Sequence, residues 1–305
     1  MENRDTELIE KITSLKERKN AVILSHNYQL GEVQDIADLV GDSLELSQKA
    51  SSTDADIIVF CGVHFMAETA SIICPDKTVL LPDVNAGCPM ANMITTERLQ
   101  EKKREYPGAT VVCYINSTAA VKAESDVCCT SANAVKIVEK LTDAEEIIFV
   151  PDQYLGNYVA SQTGREMILW PGYCPTHIRI QPQNISKLKA EHPQAKAVVH
   201  PECRPEVIAL ADAVLSTGGI IRFARETEAK EIIVGTEIGI LHRLRKENPT
   251  KSFIPASEQA VCPRMKLITM ETILWSLENM THQVKVPTRT RLRAKAAVDK
   301  MLEGS

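Results

Sequence analysis

"AVILSHNY" (21–28), "ATVVCYIN" (109–116) and "AKAVVHPE" (195–202) can be laid over one another, and that superposition decides the fold. Each is a short apolar run closing on polar groups, the pattern of a buried strand that delivers its last residues to an edge. The overlay places His26, Tyr114 and His200 in one column, with offsets of 114 − 26 = 88 and 200 − 114 = 86. Two places on stand Tyr28, Asn116 and Glu202. Seventeen residues beyond each column member is a hydroxyl: Ser43, Ser131 and Thr217, in "GDSLEL", "CTSANAV" and "LSTGGII". Each reads as a helix start, where Ser and Thr are favoured caps.

The repeat extends further. "DIIVF", "EEIIFV" and "KEIIVG" read as second strands. Each unit then closes on an apolar run, a proline, a short loop and Cys-Pro: "LLPDVNAGCPMA", "ILWPGYCPTH" and "FIPASEQAVCPRM". "DTELIEKITSLKERKN" has helical apolar spacing, and "EVQDIADLV" (32–40) reads as helix. Helices alternating with continuous apolar runs predict an α/β protein with parallel sheets. Repeats of this length fit whole small domains rather than solenoid units. The expected architecture is three related three-layer α/β/α domains about a pseudo-threefold axis. Their ranges are 1–105 with Cys88, 106–192 with Cys174 and 193–280 with Cys262, followed by a C-terminal helical extension over 281–305.

The chain has 305 residues, 25% of them charged and 44% apolar, with a net charge of −5. No overall basic field favours nucleic acid or anionic lipid. The basic run "RTRLRAKAAVDKM" near the end is helical and reads as a solvated face. No apolar run approaches the ~20 residues of a membrane span, and "MENRDTELIEKI" carries no apolar signal core. A cytoplasmic protein is expected.

Nine cysteines, an odd number with no CxxC pair, argue against a disulfide framework. Cys88, Cys174 and Cys262 are spaced by 86 and 88, one per repeat. Ligands in open α/β sheets collect beyond the carboxyl ends of strands. Three units facing one axis would bring these thiols to one point. Such a set suits a four-iron cluster with one open iron, a zinc ion completed by another ligand, or three packed thiols. Cys61, Cys74, Cys113, Cys128 and Cys129 read as packing residues. Cys203, between Glu202 and Arg204, reads as a bystander rather than a nucleophile paired with His200. Helix N-termini at Ser43, Ser131 and Thr217 would hold a multiply anionic ligand through free N–H groups.

The segments "SHNYQ", "GDSLELS", "AGCPMA", "CYINSTAAVKAESDVCCTSANA", "WPGYCPTH", "HPEC", "STGG" and "CPRMKLITM", in order over residues 25–270, resemble the quinolinate synthases, the A proteins of NAD biosynthesis. The resemblance implies condensation of iminoaspartate with dihydroxyacetone phosphate to quinolinate, with loss of phosphate and water. It implies a 4Fe-4S cluster held by Cys88, Cys174 and Cys262, whose fourth iron meets substrate. It places His26, Tyr28, Ser43, Tyr114, Ile115, Asn116, Ser131, His177, His200, Pro201, Glu202 and Thr217 in the substrate pocket. In some relatives the last cluster cysteine belongs to a CxxC pair able to form a regulatory disulfide. Here Gln259 stands where the extra cysteine would be, so that switch is not expected.

Under this resemblance Glu202 is the expected general base. His200, His26 and Tyr28 would shuttle protons or orient the imine, while the three hydroxyls and Asn116 hold carboxylate or phosphate oxygens. The expected partners are these small anions, with no nucleic acid and no membrane, and a functional link to an aspartate oxidase or dehydrogenase. The alternative is another 4Fe-4S-dependent hydro-lyase acting on a small anionic hydroxy acid. A non-catalytic iron–sulfur sensor would carry a basic recognition surface and a fourth cluster ligand, and neither is evident.

Overall fold

The three overlaid runs each become the second-placed strand of a separate four-stranded parallel sheet. The structure, a computed structural model, describes residues 2–304, with side chains from residue 5 onward. The first sheet comprises β1 (Ala21–His26), β2 (Leu39–Gly41), β3 (Ile57–Cys61) and β4 (Thr78–Leu80). The second holds β5 (Thr110–Tyr114), β6 (Val127–Cys129), β7 (Ile147–Val150) and β8 (Ile168–Leu169). The third holds β9 (Lys196–Val199), β10 (Ala213–Val214), β11 (Glu231–Gly235) and β12 (Ser252–Pro255). Their orders are β2-β1-β3-β4, β6-β5-β7-β8 and β10-β9-β11-β12. Helices flank each sheet, giving three α/β/α units in a pseudo-threefold arrangement.

The registers repeat as well as the topology. Leu24 faces Leu39, Val112 faces Val127 and Val198 faces Ala213, a separation of 15 residues each time. The reason is a side chain: Asp38, Asp126 and Asp212 sit at the turn into the second strand of their units. Each carboxylate accepts the first-strand amide 15 residues earlier, from Ile23 at 2.8 Å, Val111 at 2.8 Å and Ala197 at 2.9 Å. Each aspartate amide donates back to the same residue's carbonyl, at 2.9, 3.0 and 2.7 Å. A two-way clamp of this kind fixes register against slippage.

The central strands β1, β3, β5, β7, β9 and β11 are buried almost throughout, as strands covered on both faces must be. One apolar core runs continuously through the first two units and into the third. A smaller cluster joins Ala197, Val199 and Ile233 of the third unit with Ile180 and Ile185 from the segment just before it.

Two expectations are corrected here. Residues 32–40 are not one helix: Gly31–Asp35 is helical, and Leu39–Gly41 is β2, an edge strand too short to show a period of its own. The basic C-terminal run is helix Thr288–Glu303, but it is more than a solvated face. Its Ala294, Ala297, Val298 and Met301 are buried, and it packs against β6 and helix Ala119–Lys122 of the second unit. Asn133 Nδ2 donates to the Met301 carbonyl at 3.2 Å, and Lys300 Nζ to that of Asp126 at 2.9 Å. On its way there the chain pairs antiparallel with the edge of the first sheet. The Leu81 amide donates to the His282 carbonyl and the Val284 amide to that of Val79, both at 2.9 Å. No helix among the described residues is long and apolar enough to cross a membrane.

Candidate functional site

A single cavity receives the carboxyl ends of the strands from all three units. It is lined by His26, Tyr28, Ser43, Tyr114, Asn116, Ser131, His177, His200, Glu202 and Thr217, together with Cys88, Cys174 and Cys262. Ile115 and Pro201 are buried beside it without lining it. Asp42, Val63, Phe65, Met66, Met90, Thr176, Glu237 and Met265 complete the wall. Neither a lysine nor an arginine lines it among the described residues.

The column residues occupy equivalent places. His26 ends β1, Tyr114 ends β5 and His200 follows β9 directly. The two histidines share a local device. Nδ1 of His26 accepts the Tyr28 amide at 3.2 Å, and Nδ1 of His200 accepts the Glu202 amide at 3.3 Å. Burial, partly countered by Glu202, lowers both imidazoles to about 3. A neutral ring whose Nδ1 accepts must carry its proton on Nε2. Both rings are therefore fixed as Nε2–H donors, and that of His200 lies 3.1 Å from the Ser131 hydroxyl.

The hydroxyl column lies at the helix starts, but the caps are its neighbours. Asp42 caps helix Ser43–Ser52, with a reciprocal contact from Glu45, and Ser216 caps Thr217–Glu226. In the second unit Ser131 lies in the turn before helix Ala134–Lys140, whose cap position is Asn133. Since Asp42 and Ser216 satisfy the helix amides, Ser43 and Thr217 are left at the first helical position, on the cavity wall. Thr217 accepts from Asn27 Nδ2 at 3.0 Å.

Glu202 is the centre of the polar network. Its Oε1 accepts the Tyr114 hydroxyl at 2.6 Å and Asn116 Nδ2 at 3.3 Å. Its Oε2 lies 2.6 Å from His177 Nδ1, a close contact without hydrogen-bond alignment. Burial alone would push its carboxyl up, but His177, His200 and Tyr114 outweigh burial and hold it well below the usual carboxylate range. The His177 ring stacks on that of His200 at 4.7 Å and meets Thr236 Oγ1 at 2.9 Å, which in turn meets the Tyr28 hydroxyl at 2.5 Å.

The three column cysteines are half-buried, and the other six cysteines are fully buried. Burial pushes the Cys88 thiol up to about 12 and raises those of Cys174 and Cys262. Such thiols become thiolates when a cation binds them, and three sulfurs lining one cavity are a soft-metal donor set. Cys174 Sγ, a His177 ring nitrogen and a Glu202 oxygen also lie within 4.8 Å of one another. Cys203, with no exposed surface, packs in the third unit's own core and lies outside the cavity.

The sequence profile of the quinolinate synthetase A protein matches residues 10–303. The chain belongs to that family. It is 62% identical over 299 residues to a quinolinate synthase of Dehalococcoides mccartyi, covering 98% of this chain and 99% of the relative. It is 56% identical over 299 residues to one of Methanosarcina barkeri, covering 98% of each, and 57% identical over 296 residues to one of Geotalea uraniireducens, covering 97% of each. A solved reductase of Plasmodium falciparum, acting on E-1-hydroxy-2-methyl-but-2-enyl-4-diphosphate, aligns at a TM-score of 0.37 and 12% identity over 90% of this chain and 94% of that one. That likeness is too loose to bear on chemistry.

Two features of this family member escaped the reading of its sequence. The aspartate clamp forms a further repeat column, since 126 − 38 = 88 and 212 − 126 = 86, and the identical offsets could have exposed it. Glu237, fully buried on the cavity wall, has no repeated identity to mark it.

Proposed function

We propose that the protein is a quinolinate synthase, condensing iminoaspartate with dihydroxyacetone phosphate to quinolinate with loss of phosphate and water. One observation carries the reading. One cysteine from each unit meets, in one buried cavity, the histidines, tyrosines and hydroxyls that the same repeat supplies. The hydro-lyase alternative has no observation in its favour. The imine is expected from an aspartate oxidase or dehydrogenase, and the reaction from the cytoplasm.

Cys88, Cys174 and Cys262 would hold a 4Fe-4S cluster. Three ligands leave one iron open as a Lewis acid for a substrate oxygen or nitrogen. The donor set fits: three soft sulfurs, raised as free thiols, become stable as thiolates on a cation. The protein does the rest. With no lysine or arginine on the wall among the described residues, anionic groups are held by Nε2–H of His26 and His200, by the hydroxyls of Ser43, Ser131 and Thr217, and by Asn116. Neutral histidines suit this task, because they donate without competing as charges.

Glu202 takes a proton from a triose-derived carbon. The ionised form that a base requires is the form the site holds. The same contacts make it a weak base, so substrate must displace one of them. The misaligned His177 contact is the one to yield, and its loss raises the basicity of Glu202 as the reaction begins. Tyr28 and Tyr114 then lie beside the reacting carbons as hydroxyl donors.

The test uses anaerobically purified protein. Iron and sulfide are measured in the wild type and in Cys88→Ala, Cys174→Ala, Cys262→Ala and Cys203→Ala, alongside quinolinate formation. About four irons per wild-type chain, kept in Cys203→Ala and lost in the other three, support the reading. Stoichiometric zinc, or a cluster that survives loss of any of the three, overturns it.

A further inference from the structure

The loops carrying the three cysteines are tied to their sheets by a repeated main-chain bond. In each unit the amide three residues beyond the third strand donates to the carbonyl two residues before the cysteine. His64 donates to Ala86 at 2.7 Å, Gln153 to Gly172 at 2.9 Å and Ile238 to Ala260 at 3.0 Å. The residue preceding each donor is Val63, Asp152 and Glu237 in turn. All three are buried, and the two carboxylates have no exposed surface at all.

Glu237 does more than fill space. Its Oε1 accepts the amide of Cys262 itself at 3.0 Å, and its Oε2 accepts that of Gly239 at 2.7 Å. Lys266, from the same Cys-Pro loop, lies 3.0 Å from Oε1 and also donates to the Tyr28 carbonyl of the first unit. The carboxylate therefore joins strand end, cysteine loop and neighbouring unit. Asp152 stands at the equivalent place. Its Oδ1 caps the following helix through Tyr154 and Leu155, at 2.8 and 2.9 Å. Its Oδ2 makes no hydrogen bond, and burial together with Glu202 pushes its carboxyl well above the usual carboxylate range. In the first unit Val63 offers no acceptor; beside the main-chain bond, the loop before Cys88 receives Arg264 Nη1 on the Asn85 carbonyl at 3.3 Å.

We propose that Glu237 is a positioning residue for the cluster, orienting the main chain of the one cysteine ligand in its unit, while the equivalent positions in the other two units, Val63 and Asp152, make no such bond to their cysteines. The proposal rests on the three-cysteine cluster inferred above. Outer partners that orient ligands commonly alter metal retention by 10–100-fold when removed.

The experiment compares anaerobic holoprotein of the wild type with Glu237→Gln and, as controls, Asp152→Asn at the equivalent position and Asp126→Asn in the register clamp. The readouts are the rate of iron release to a chelator, the electron paramagnetic resonance spectrum of the reduced cluster, and the melting temperature. Glutamine can accept only one of the two amides that Glu237 holds. Asparagine at 152 keeps the helix cap, and Oδ2 there holds no cysteine amide to lose. Iron release about ten-fold faster with an altered spectrum in Glu237→Gln, both unchanged in the two controls, is expected. Wild-type release and spectrum in Glu237→Gln overturn the positioning role while leaving the cluster in place. A wild type that carries no iron overturns the cluster reading and this proposal together.

Discussion

Replacing Glu202 by glutamine separates a reagent from a strut. The side chain is 3% exposed and has four polar neighbours: Tyr114 Oη at 2.6 Å, Asn116 Nδ2 at 3.3 Å, His177 Nδ1 at 2.6 Å and His200 Nδ1 at 3.9 Å. The amide has almost the same shape. Its oxygen can still accept the tyrosine hydroxyl, and its NH₂ can face His177 in the tautomer that leaves Nδ1 free to accept. The structural cost is then the change from charged to neutral hydrogen bonds, about 1–3 kcal/mol. The catalytic cost is larger. Removing a general base commonly lowers turnover ~10²–10⁴-fold, roughly 3–5 kcal/mol on the barrier. Quinolinate formation from freshly generated iminoaspartate and dihydroxyacetone phosphate is measured anaerobically, with iron content and melting temperature on the same preparation. The expected result is a normal cluster, a small loss of stability and turnover down by at least ~10². Full turnover with an intact cluster would refute the base assignment. Loss of the cluster would show that Glu202 holds the site together instead.

Acid should destabilise the protein through its buried histidines. His26 and His200 are lowered to about 3 from an ordinary value near 6.5, so below pH 6.5 the unfolded chain takes up protons that the folded one refuses. Stability is then lost as pH falls from about 6.5 toward 3, by ~1.4 kcal/mol per pH unit for each ring. Urea midpoints of apoprotein against pH should show this slope, and His26→Asn with His200→Asn should flatten it; an equal slope in the double variant would sink the account. Asp38→Ala, Asp126→Ala and Asp212→Ala should each cost about 1–3 kcal/mol, because each leaves a strand amide without its acceptor. Urea denaturation reads this, and three costs indistinguishable from zero would remove the clamp as the cause of the shared register. Deleting residues 288–305 should expose the face that Val298, Met301 and two alanines cover. That forfeits roughly 4–8 kcal/mol of burial, comparable with the ~5–15 kcal/mol of a whole domain. Circular dichroism and dye binding would reveal a loosened second unit, and unchanged melting would contradict the contact described.

The threefold architecture was legible because parallel strands buried on both faces leave continuous apolar runs, and because repeated runs end in polar residues at constant offsets. The places where reading failed share a physical cause. β2 is three residues long and half-buried, so Leu39 and Val40 merged with the helical pattern before them. Ser43 and Thr217 are cap-type residues placed beside stronger caps, Asp42 and Ser216, and composition alone does not choose between adjacent candidates. The C-terminal helix hides its packing face because two of its four buried residues are alanines, which signal weakly beside five arginines and lysines within 288–300. Glu237 acts through the main chain of a loop 25 residues on, and a backbone donor leaves no trace in sequence.

The helix that completes the second unit is made only after the whole third unit. When β8 leaves the ribosome the second sheet is whole in sequence, yet its β6 face still lacks residues 288–303. From the end of β8 to the end of that helix is 303 − 169 = 134 residues, about 7–27 s at ~5–20 residues per second. For that interval a nascent chain carries a finished sheet with an uncovered flank, and the cysteines of the first two units wait for the third. Closure of the middle of this protein is therefore gated by translation of a helix that lies beyond the whole third unit.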